Sequence, residues 1–300
     1  MIYDSAIIGT GPAGVSAALN LKILDKNFIW LGSEKLSDKV QKAELISNYP
    51  GLPKISGKEL NAAFLSQIKS MNIKITDKTV NSIVPFDDHY ALMAGSDFYE
   101  IKTVILTTGV SGAGTLPGEQ EFLGKGVSYC ATCDGNLYRG KNIAVICNNE
   151  RFEHEVEYLS KIAENLYYFP SYKNVTVSAD NIKTFATNVV KIIGEDRVCA
   201  VMLKNGEKLP VDGVFCIRDS VSLNNLLPNI ATDGKRIIVN RDMSTNLPGI
   251  YAAGDCTGRP YQYTKAVGEG NVAAHSVIEY LSKIQKSKNE SIKNEKQPQI

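Results

Sequence analysis

The chain has 300 residues, of which 43% are hydrophobic and 22% charged, a balance typical of a folded protein of roughly two domains. Its 33 basic and 32 acidic residues leave a net charge of +1, which gives no reason to expect a general binder of nucleic acid or membrane surfaces. No export signal precedes the first predicted strand and no apolar run is long enough to span a bilayer, so we expect a cytoplasmic protein.

Two stretches of the chain have the strand, helix, strand pattern of a nucleotide-binding unit. The elements are predicted at 3–8, 12–24 and 27–31, and again at 142–147, 150–163 and 165–169. Two further strands are predicted at 198–203 and 208–211, and Asn205-Gly206 between them predicts a tight hairpin turn.

The second copy of this pattern lies inside the chain of the first, because 250–255 and a helix over about 263–283 have the pattern that completes the fold begun at residue 1. We therefore predict an α/β fold of two Rossmann-like, three-layer domains, the second inserted in the first. The expected bounds are 1–110 with 242–281 for the outer domain, 111–241 for the inserted domain, and 282–300 for a polar tail predicted to be disordered.

The turn after the first strand has the spacing of a dinucleotide-binding loop, Gly9-Thr10-Gly11-Pro12-Ala13-Gly14. In this context backbone N–H groups and the helix dipole meet a pyrophosphate, although a plain tight turn gives the same pattern. The glycines do not distinguish FAD from NAD. Gly32 and Glu34, after the second strand, are further candidates, and Glu34 fits either a ribose ligand or a solvated loop carboxylate.

Two of the six cysteines, Cys130 and Cys133, are separated by two residues. Such a pair closes a small disulfide that exchanges readily with other thiols. Half of a zinc site has the same spacing, but the chain has no second pair of this kind and its three histidines are isolated, which favours redox chemistry. Asp134 follows directly and is a candidate acid/base for opening the disulfide, a candidate helix N-cap, or both.

In this order, the glycine turn, the segment Cys130-Ala131-Thr132-Cys133-Asp134-Gly135 and the segment Ala252-Ala253-Gly254-Asp255 resemble the low-molecular-weight bacterial thioredoxin reductases. The likeness runs from residue 2 to about residue 281. Asn48-Tyr49-Pro50-Gly51 is similar to the family's segment near the flavin ring, and Thr107-Thr108-Gly109 is similar to its Ala-Thr-Gly turn.

The resemblance implies that the outer domain binds FAD. Gly9, Gly11 and Gly14 would contact the pyrophosphate, Asp255 would bind the ribityl chain, and the last helix would direct its N-terminus at the flavin. The remaining residues that the resemblance brings into the FAD site are Pro12, Ala13, Asn48, Thr108, Gly109, Gly254, Tyr263, Thr264 and Lys265.

The resemblance also divides the work between the thiols and implies a homodimer. Cys133 would face the flavin, Cys130 would attack oxidised thioredoxin, and Asp134 would serve as acid/base. Near the flavin the family's Arg-Gln pair is replaced by Tyr261-Gln262-Tyr263. The two tyrosines fit packing on the flavin, a partner surface or the core of the helix start.

The inserted domain departs from the family where NADPH would bind. A glycine-rich turn is replaced by Cys147-Asn148-Asn149-Glu150-Arg151-Phe152, whose side chains block close approach of a pyrophosphate. The next strand ends Phe169-Pro170-Ser171, where the family places paired arginines for the 2′-phosphate. Lys173 is nearby but has the position of an ordinary solvated lysine. These departures resemble the ferredoxin-dependent flavin thioredoxin reductases.

We therefore predict a thioredoxin reductase that takes electrons from reduced ferredoxin or flavodoxin and not from NADPH. The alternatives are an NADPH-dependent enzyme with an atypical nucleotide site and a non-catalytic, redox-responsive flavoprotein. A local basic surface is expected to dock the donor, although its lysines equally fit a role in solvating loops. These lysines are Lys35, Lys39, Lys42, Lys54, Lys58 and Lys265.

Overall fold

The computed structural model describes residues 2–41, 43–109, 116–119, 121–129, 131–218, 223–233 and 236–295. Cys130 and Lys42 lie outside the described residues, and so does 296–300 at the end of the predicted tail. Cys133 is described by its backbone alone.

The strands are short and spread over the whole chain. In order they are β1 (Ile2–Ile8), β2 (Phe28–Leu31), β3 (Val80–Pro85), β4 (Tyr90–Ala94), β5 (Asp97–Leu106), β6 (Val127–Ser128), β7 (Asn142–Cys147), β8 (Asn165–Pro170), β9 (Ile182–Thr184), β10 (Val189–Gly194), β11 (Val198–Leu203), β12 (Lys208–Pro210), β13 (Gly213–Ile217), β14 (Thr232–Asp233), β15 (Arg236–Ile237) and β16 (Ile250–Ala252).

The helices are fewer and include one long one. They are α1 (Pro12–Ile23), α2 (Asp38–Gln41), α3 (Gly57–Ser70), α4 (Ala131–Asp134), α5 (Glu153–Ser160), α6 (Leu223–Leu226) and α7 (Tyr263–Glu295). Three 3-10 turns lie at Gly135–Tyr138, Glu150–Phe152 and Asp255–Thr257.

The chain divides into two compact units, and the second is inserted in the first. The first unit comprises Met1–Leu92, Phe98–Ser111 and Leu227–Ile300, and the second comprises Met93–Asp97 and Gly112–Leu226. The chain thus returns to the first unit at 227 and not at the expected 242. The reason is that β15 packs against the 3-10 turn at Asp255–Thr257, which belongs to the first unit.

The first unit is built on a sheet in the order β2-β1-β5-β4-β3, with β16 also paired to β5. β1 pairs in parallel with β2 and β5, and β16 in parallel with β5, so that Ile8, Leu106 and Ala252 lie side by side. A Cβ on Gly270 would lie 2.2 Å from the carbonyl oxygen of Ala13, and α7 therefore packs closely on α1. Ligands of such folds bind beyond the carboxyl ends of the parallel strands.

The second unit has a sheet in the order β6-β13-β7-β8-β9, in which every pair is parallel. All five residues of β13 are buried, as expected for a central parallel strand covered on both faces. A second sheet, β10-β11-β12, is antiparallel. The turn between β11 and β12 contains Asn205 and Gly206, which confirms the predicted hairpin.

The last helix is longer than expected. α7 continues to Glu295, so the prediction of disorder from 282 is wrong for the described part of the tail. The tail contains five lysines and three glutamines, which are good helix formers, and the chain has no Gly or Pro between Gly270 and Pro298. None of the helices among the described residues is long and apolar enough to cross a membrane.

Candidate functional site

The glycine turn between β1 and α1 combines two crowded positions with an open one. A Cβ on Gly9, whose φ is +110°, would lie 2.3 Å from the carbonyl oxygen of Thr107. A Cβ on Gly14 would lie 2.2 Å from the carbonyl oxygen of Gly9. At Gly11, in contrast, an added Cβ would meet no atom within 4 Å. Packing therefore requires the first and third glycines, and the second leaves open space at the start of α1.

The N-terminus of α1 is available to an anion. Gly11 is the N-cap and supplies no side-chain hydrogen bond, and Pro12 occupies the first turn. The other N–H groups of this turn have no partner within the helix, and the helix dipole adds positive potential there. The Gly9 carbonyl accepts hydrogen bonds from Trp30 Nε1 at 2.8 Å and Thr107 Oγ1 at 2.9 Å, which fix its orientation.

A cleft in the first unit opens at this turn, with a cavity volume of about 330 Å³. The residues that line it are Gly11, Pro12, Ala13, Ser37, Lys39, Val40, Thr107, Gly109, Ala253, Gly254, Asp255, Tyr261, Gln262, Tyr263 and Ala266. They come from the glycine turn, the end of β5, the loop after β16, α2 and the start of α7. The cleft therefore collects segments that lie far apart in the sequence at the carboxyl edge of the parallel strands.

Asp255 lines the cleft just after Gly254, which has a φ of +88°. Burial raises the pKa of the Asp255 carboxyl above its usual value, and Lys39 and Lys265 oppose that rise. A half-buried carboxylate of this kind accepts hydrogen bonds well from hydroxyl groups, which are the groups that a ribityl chain carries.

Lys265 holds the loop that carries Asp255. Its Nζ donates to the carbonyl oxygens of Gly254 at 2.7 Å and Gly258 at 2.9 Å, and to Thr257 Oγ1 at 2.8 Å. It also lies 3.0 Å from Glu269 Oε2, with only 16% of its side chain exposed. The prediction of Lys265 as a docking lysine is therefore wrong, because its donors are used inside the protein.

The remaining predicted residues lie at different depths. Gly32, with a φ of +143°, packs against the Thr10 side chain, where a Cβ would come within 2.9 Å of Thr10 Cγ2. Glu34 is exposed and does not line the cleft. Asn48 Nδ2 donates to Gln262 Oε1 at 2.7 Å and so reaches the edge of the cleft indirectly.

Thr108 and Thr264 lie beside the cleft lining. The Thr108 Oγ1 atom is buried without a hydrogen bond of ordinary length among the described residues, although it is close enough to lower the pKa of the Cys256 thiol, which burial raises to about 11. Thr264 is half-buried in the first turn of α7. The buried Thr108 hydroxyl is therefore available to form a hydrogen bond with a ligand.

The two tyrosines at the start of α7 differ. Tyr261 is 49% exposed, and the Arg259 guanidinium lies 5.7 Å from its ring centre. Tyr263 packs against the apolar core of the first unit. Core packing therefore accounts for Tyr263 but not for Tyr261, and both side chains line the cleft.

Five residues line the cleft although the sequence did not predict them there, and one of them, Lys39, was predicted only as a docking lysine. The other four are Ser37, Val40, Gln262 and Ala266. Ser37, Lys39 and Val40 line the cleft from α2 and the residue before it. The segment that leads into α2 is held by a distant residue, since Asn61 Nδ2 donates to the Lys35 carbonyl at 3.1 Å. No local pattern marks such residues.

In the second unit, α4 carries Cys133 and ends at Asp134. Asp134 Oδ2 accepts a hydrogen bond from Ser128 Oγ at 2.7 Å. Asp134 has the N-cap position of the 3-10 turn that follows, as the N-cap interpretation predicts, but its side chain makes no hydrogen bond to that turn. Its carboxylate is instead held one residue from Cys133 in the sequence, by a hydroxyl at the end of β6.

A buried ion pair in the second unit bonds the residue that precedes Cys130 in the sequence. Arg218 Nη1 donates to both carboxylate oxygens of Glu119, at 3.0 and 3.1 Å, and Glu119 is only 1% exposed. Tyr129, the residue before Cys130, donates its hydroxyl to Glu119 Oε1 at 3.1 Å. Burial, with the Glu119 charge, raises the pKa of Tyr129, so the phenol stays protonated as the donor.

The turn between β7 and α5 is closed by its own side chains. Phe152 is buried at 6% exposure in an apolar cluster with Val156 and Phe215. The Arg151 guanidinium lies 4.6 Å from the centre of the Phe152 ring. Asn149 Oδ1 accepts a hydrogen bond from the Arg151 N–H at 3.2 Å and caps the turn. The space that glycines would leave for a phosphate is therefore used for internal packing.

A carboxylate stands at the start of α5. Glu153 accepts hydrogen bonds from the hydroxyl of Tyr172 at 2.8 Å and from the N–H groups of Thr176 at 2.9 Å and Val177 at 3.1 Å. Burial alone would raise the pKa of Glu153, but the hydrogen bonds from Thr176, Tyr172 and Val177 outweigh it and the net pKa is lowered. Glu153 is therefore ionised at neutral pH and ties the loop after β8 to α5.

Comparison with known proteins agrees with this arrangement. The family described as pyridine nucleotide-disulphide oxidoreductase matches residues 3–147 and 176–270. The thioredoxin reductase of Treponema pallidum is 31% identical, and the match covers 94% of this chain and 98% of that protein. The thioredoxin reductase of Listeria monocytogenes is 29% identical, and the match covers 95% of this chain and 96% of that protein.

A solved structure is more similar still. A ferredoxin-flavin thioredoxin reductase from Clostridium acetobutylicum is 44% identical, with a TM-score of 0.89 over 95% of this chain and 99% of that one. The open glycine turn and the cleft with Asp255 fit the cofactor of these relatives. The chain therefore belongs to the pyridine nucleotide-disulphide oxidoreductase family, within which it is an FAD-binding flavoprotein oxidoreductase of the thioredoxin reductase type.

Proposed function

We propose that the protein reduces thioredoxin with electrons from reduced ferredoxin, or from a flavodoxin, and does not use NADPH. The observation that carries the proposal is the closed turn between β7 and α5. Here the packed Phe152 and the ionised Glu153 stand where an NADPH enzyme of this family needs small residues and a positive potential.

The closed turn opposes NADPH by shape. A pyrophosphate binds such a turn through close approach to backbone N–H groups, which side chains at these positions prevent. Phe152 cannot withdraw without leaving a cavity in the core of the second unit. The Arg151 N–H already donates a hydrogen bond to Asn149 Oδ1 and is therefore not available to a phosphate.

The turn also opposes NADPH by charge. The Glu153 carboxylate places a negative charge at the helix end that would have to face a pyrophosphate, and like charges at short range repel. The loop from Tyr172 to Val177 is held by that carboxylate. Lys173 in this loop is exposed, and an exposed lysine contributes little to holding a phosphate compared with paired arginines.

The residues of the chain then have separate tasks. FAD would be held by the cleft of the first unit, and it would supply the chemistry that links a one-electron donor to the two-electron reduction of the Cys130–Cys133 disulfide. Cys133 would face the flavin. The Cys130 thiolate would attack the disulfide of thioredoxin and release one of its thiols, and Cys133 would then displace the second thiol and re-form the Cys130–Cys133 disulfide. Asp134, positioned by Ser128, takes up and returns the proton of the reacting thiols.

The energetics favour this direction. A plant-type ferredoxin lies near roughly −400 mV and thioredoxin near about −270 mV. The difference of ~130 mV amounts, for two electrons, to ~6 kcal/mol in the forward direction.

We further propose that the enzyme acts as a cytoplasmic homodimer. Sedimentation of the purified FAD-loaded protein would test whether it forms a dimer.

The decisive experiment is anaerobic stopped-flow reduction of the flavin by each candidate donor. We expect reduced ferredoxin or flavodoxin to bleach the flavin within the catalytic cycle time and millimolar NADPH or NADH to leave it oxidised. Rapid bleaching by NADPH would instead identify an NADPH-dependent enzyme with an atypical site. Flavin reduction by ferredoxin without reduction of thioredoxin would identify a redox-responsive flavoprotein.

A further inference from the structure

The turn that carries Asp255 is bounded by two glycines in a backbone conformation that other residues rarely adopt. Gly254 has φ and ψ of 88° and −150°, and Gly258 has 109° and −170°. This region of backbone space is essentially restricted to glycine. Because glycine also has the widest choice of other conformations, contacts from outside the turn are needed to keep Asp255 in the lining of the cleft.

Two charged residues of α7 supply these contacts. Lys265 Nζ donates to the carbonyl oxygens of Gly254 at 2.7 Å and Gly258 at 2.9 Å, so one ammonium group ties both ends of the turn together. Glu269 Oε2 accepts hydrogen bonds from the Gly254 N–H at 2.8 Å and the Thr257 hydroxyl at 2.9 Å. The peptide planes on both sides of Gly254 are therefore fixed by the same pair of side chains.

The pair itself is largely buried. Lys265 and Glu269 are four residues apart on the helix, their charged atoms lie 3.0 Å apart, and their side chains are 16% and 19% exposed. An ammonium group has three N–H donors, and those of Lys265 are used by the turn and by Glu269. Removal of one partner of a buried pair leaves the other charge uncompensated, which is strongly unfavourable. A substitution in the pair should therefore disturb the turn.

The charges of the pair have opposite effects on Asp255. Burial, the largest influence, raises the pKa of the Asp255 carboxyl. Lys265, like Lys39, lowers that pKa, and Glu269 raises it. Neither member of the pair lines the cleft. The pair therefore acts on a bound ligand through the position of the turn, because its two charges partly cancel at Asp255.

We propose that Lys265 and Glu269 form a clip that holds the turn from Gly254 to Gly258 and keeps Asp255 where FAD would bind, so that the affinity for FAD depends on the pair. This inference rests on the proposed contact between Asp255 and the cofactor. Lys265 and Glu269 are positioning residues, since they bond the turn and act through Asp255.

The test measures binding of FAD to the apoprotein from the change in flavin fluorescence, and it needs neither an electron donor nor thioredoxin. Lys265→Met removes the ammonium group and keeps an unbranched side chain. We expect it to weaken FAD binding by about tenfold to a hundredfold, the effect of losing one hydrogen bond to a charged group. Glu269→Gln keeps an acceptor for the Gly254 N–H and should weaken binding less.

Lys161→Met is the matched control, because Glu157 and Lys161 form an exposed pair with the same spacing of four residues, at 2.8 Å. It should leave the affinity for FAD unchanged. If Lys265→Met folds poorly, Thr257→Val removes a hydroxyl that bonds both members of the clip and leaves the charged pair in place. We expect Thr257→Val to weaken FAD binding by about threefold to tenfold, the effect of one neutral hydrogen bond.

A double-mutant cycle with Asp255→Ala separates positioning of Asp255 from a general loss of stability. Asp255→Ala alone should weaken FAD binding, and Lys265→Met should then weaken it little further, because the clip acts through Asp255. Equal effects of Lys265→Met in the two backgrounds, or no effect in the wild-type background, would overturn the clip and leave the assignment of Asp255 standing. Unchanged FAD affinity in Asp255→Ala would overturn that assignment and the clip with it.

Discussion

The turn after β1 and the turn after β7 occupy equivalent places in two strand, turn, helix units, yet one is open and the other is filled. At Gly11 an added Cβ meets open space, and α1 begins without a side-chain cap. At the second turn the Asn149 side chain accepts a hydrogen bond from the Arg151 N–H, and Phe152 lies in the core. The first turn is arranged for a ligand and the second for its own packing.

The difference shows that the fold and the nucleotide site are separable. β7 pairs in parallel with β8, as β1 does with β2, although the second turn contains no glycine. Parallel pairing depends on the buried apolar runs of the strands and not on the residues of the turn. A turn without glycines therefore leaves the architecture intact.

The largest expected effect is loss of the cofactor from the open turn. Gly11→Val puts a branched side chain into the space beside α1, so we expect purified protein with almost no FAD and no activity. The absorbance of the flavin relative to protein measures this. Asn148→Ala, at the closed turn, is the control and should keep full FAD. Full FAD in Gly11→Val would show that the pyrophosphate binds elsewhere.

The next effect concerns the thiols of the second unit. Cys130→Ser and Cys133→Ser should each bring thioredoxin reduction to background, because disulfide exchange needs both sulfurs. Only Cys130→Ser leaves a Cys133 thiolate able to give a long-wavelength charge-transfer band with the flavin. Absorbance spectra of the reduced variants distinguish the two, and a band in Cys133→Ser instead would reverse the roles.

The filled turn should contribute strongly to stability. Phe152→Ala leaves a cavity in the core of the second unit and is expected to lower its unfolding free energy by about 3 to 5 kcal/mol. Hydrogen exchange in α5 measures the loss within that unit, while flavin content should stay near the parent. Phe152→Leu is the milder control. Unchanged exchange in Phe152→Ala would mean that the closed turn is not held by this ring.

A smaller effect is expected from ionic strength. Lys35, Lys39, Lys54 and Lys58 are exposed, and attraction between exposed charges is screened over roughly 10 Å at 0.1 M salt. Ferredoxin-driven reduction should therefore slow several-fold as salt rises, while dithionite-driven reduction should not. Stopped-flow rates measure both. Salt-independent ferredoxin rates would remove the basic surface from the mechanism.

The smallest effect is expected from restoring glycines. Replacement of Cys147, Asn148 and Asn149 by glycine should not yield reduction by NADPH, because Phe152 and Glu153 still occupy the start of α5. The flavin absorbance under anaerobic NADPH measures this. Rapid bleaching of this variant would show that the glycines alone separate the two turns.

Local patterns predicted much of the fold. The residues of β1, β2, β7 and β8 are apolar runs, and Asn205-Gly206 is a turn signal, so their structure depends on neighbours in the sequence. The end of α7 was missed because polar composition does not exclude a helix when strong helix breakers are absent.

The sequence by itself determined the two nucleotide-type turns, the cysteine spacing and the nested order of the units, since each is readable within a few residues or by repetition. Only the tertiary structure decided that α2 reaches the cleft, that Lys265 holds the loop of Asp255, and that Glu119 pairs with Arg218. Arg218 and Glu119 are far apart in the sequence, and so are α2 and the other segments of the cleft. Lys265 and the loop of Asp255 are close in the sequence, but the packing of the core determines the path of that loop. The sequence does not show whether a charged side chain bonds solvent or a buried carbonyl, because this depends on how deeply the fold buries it.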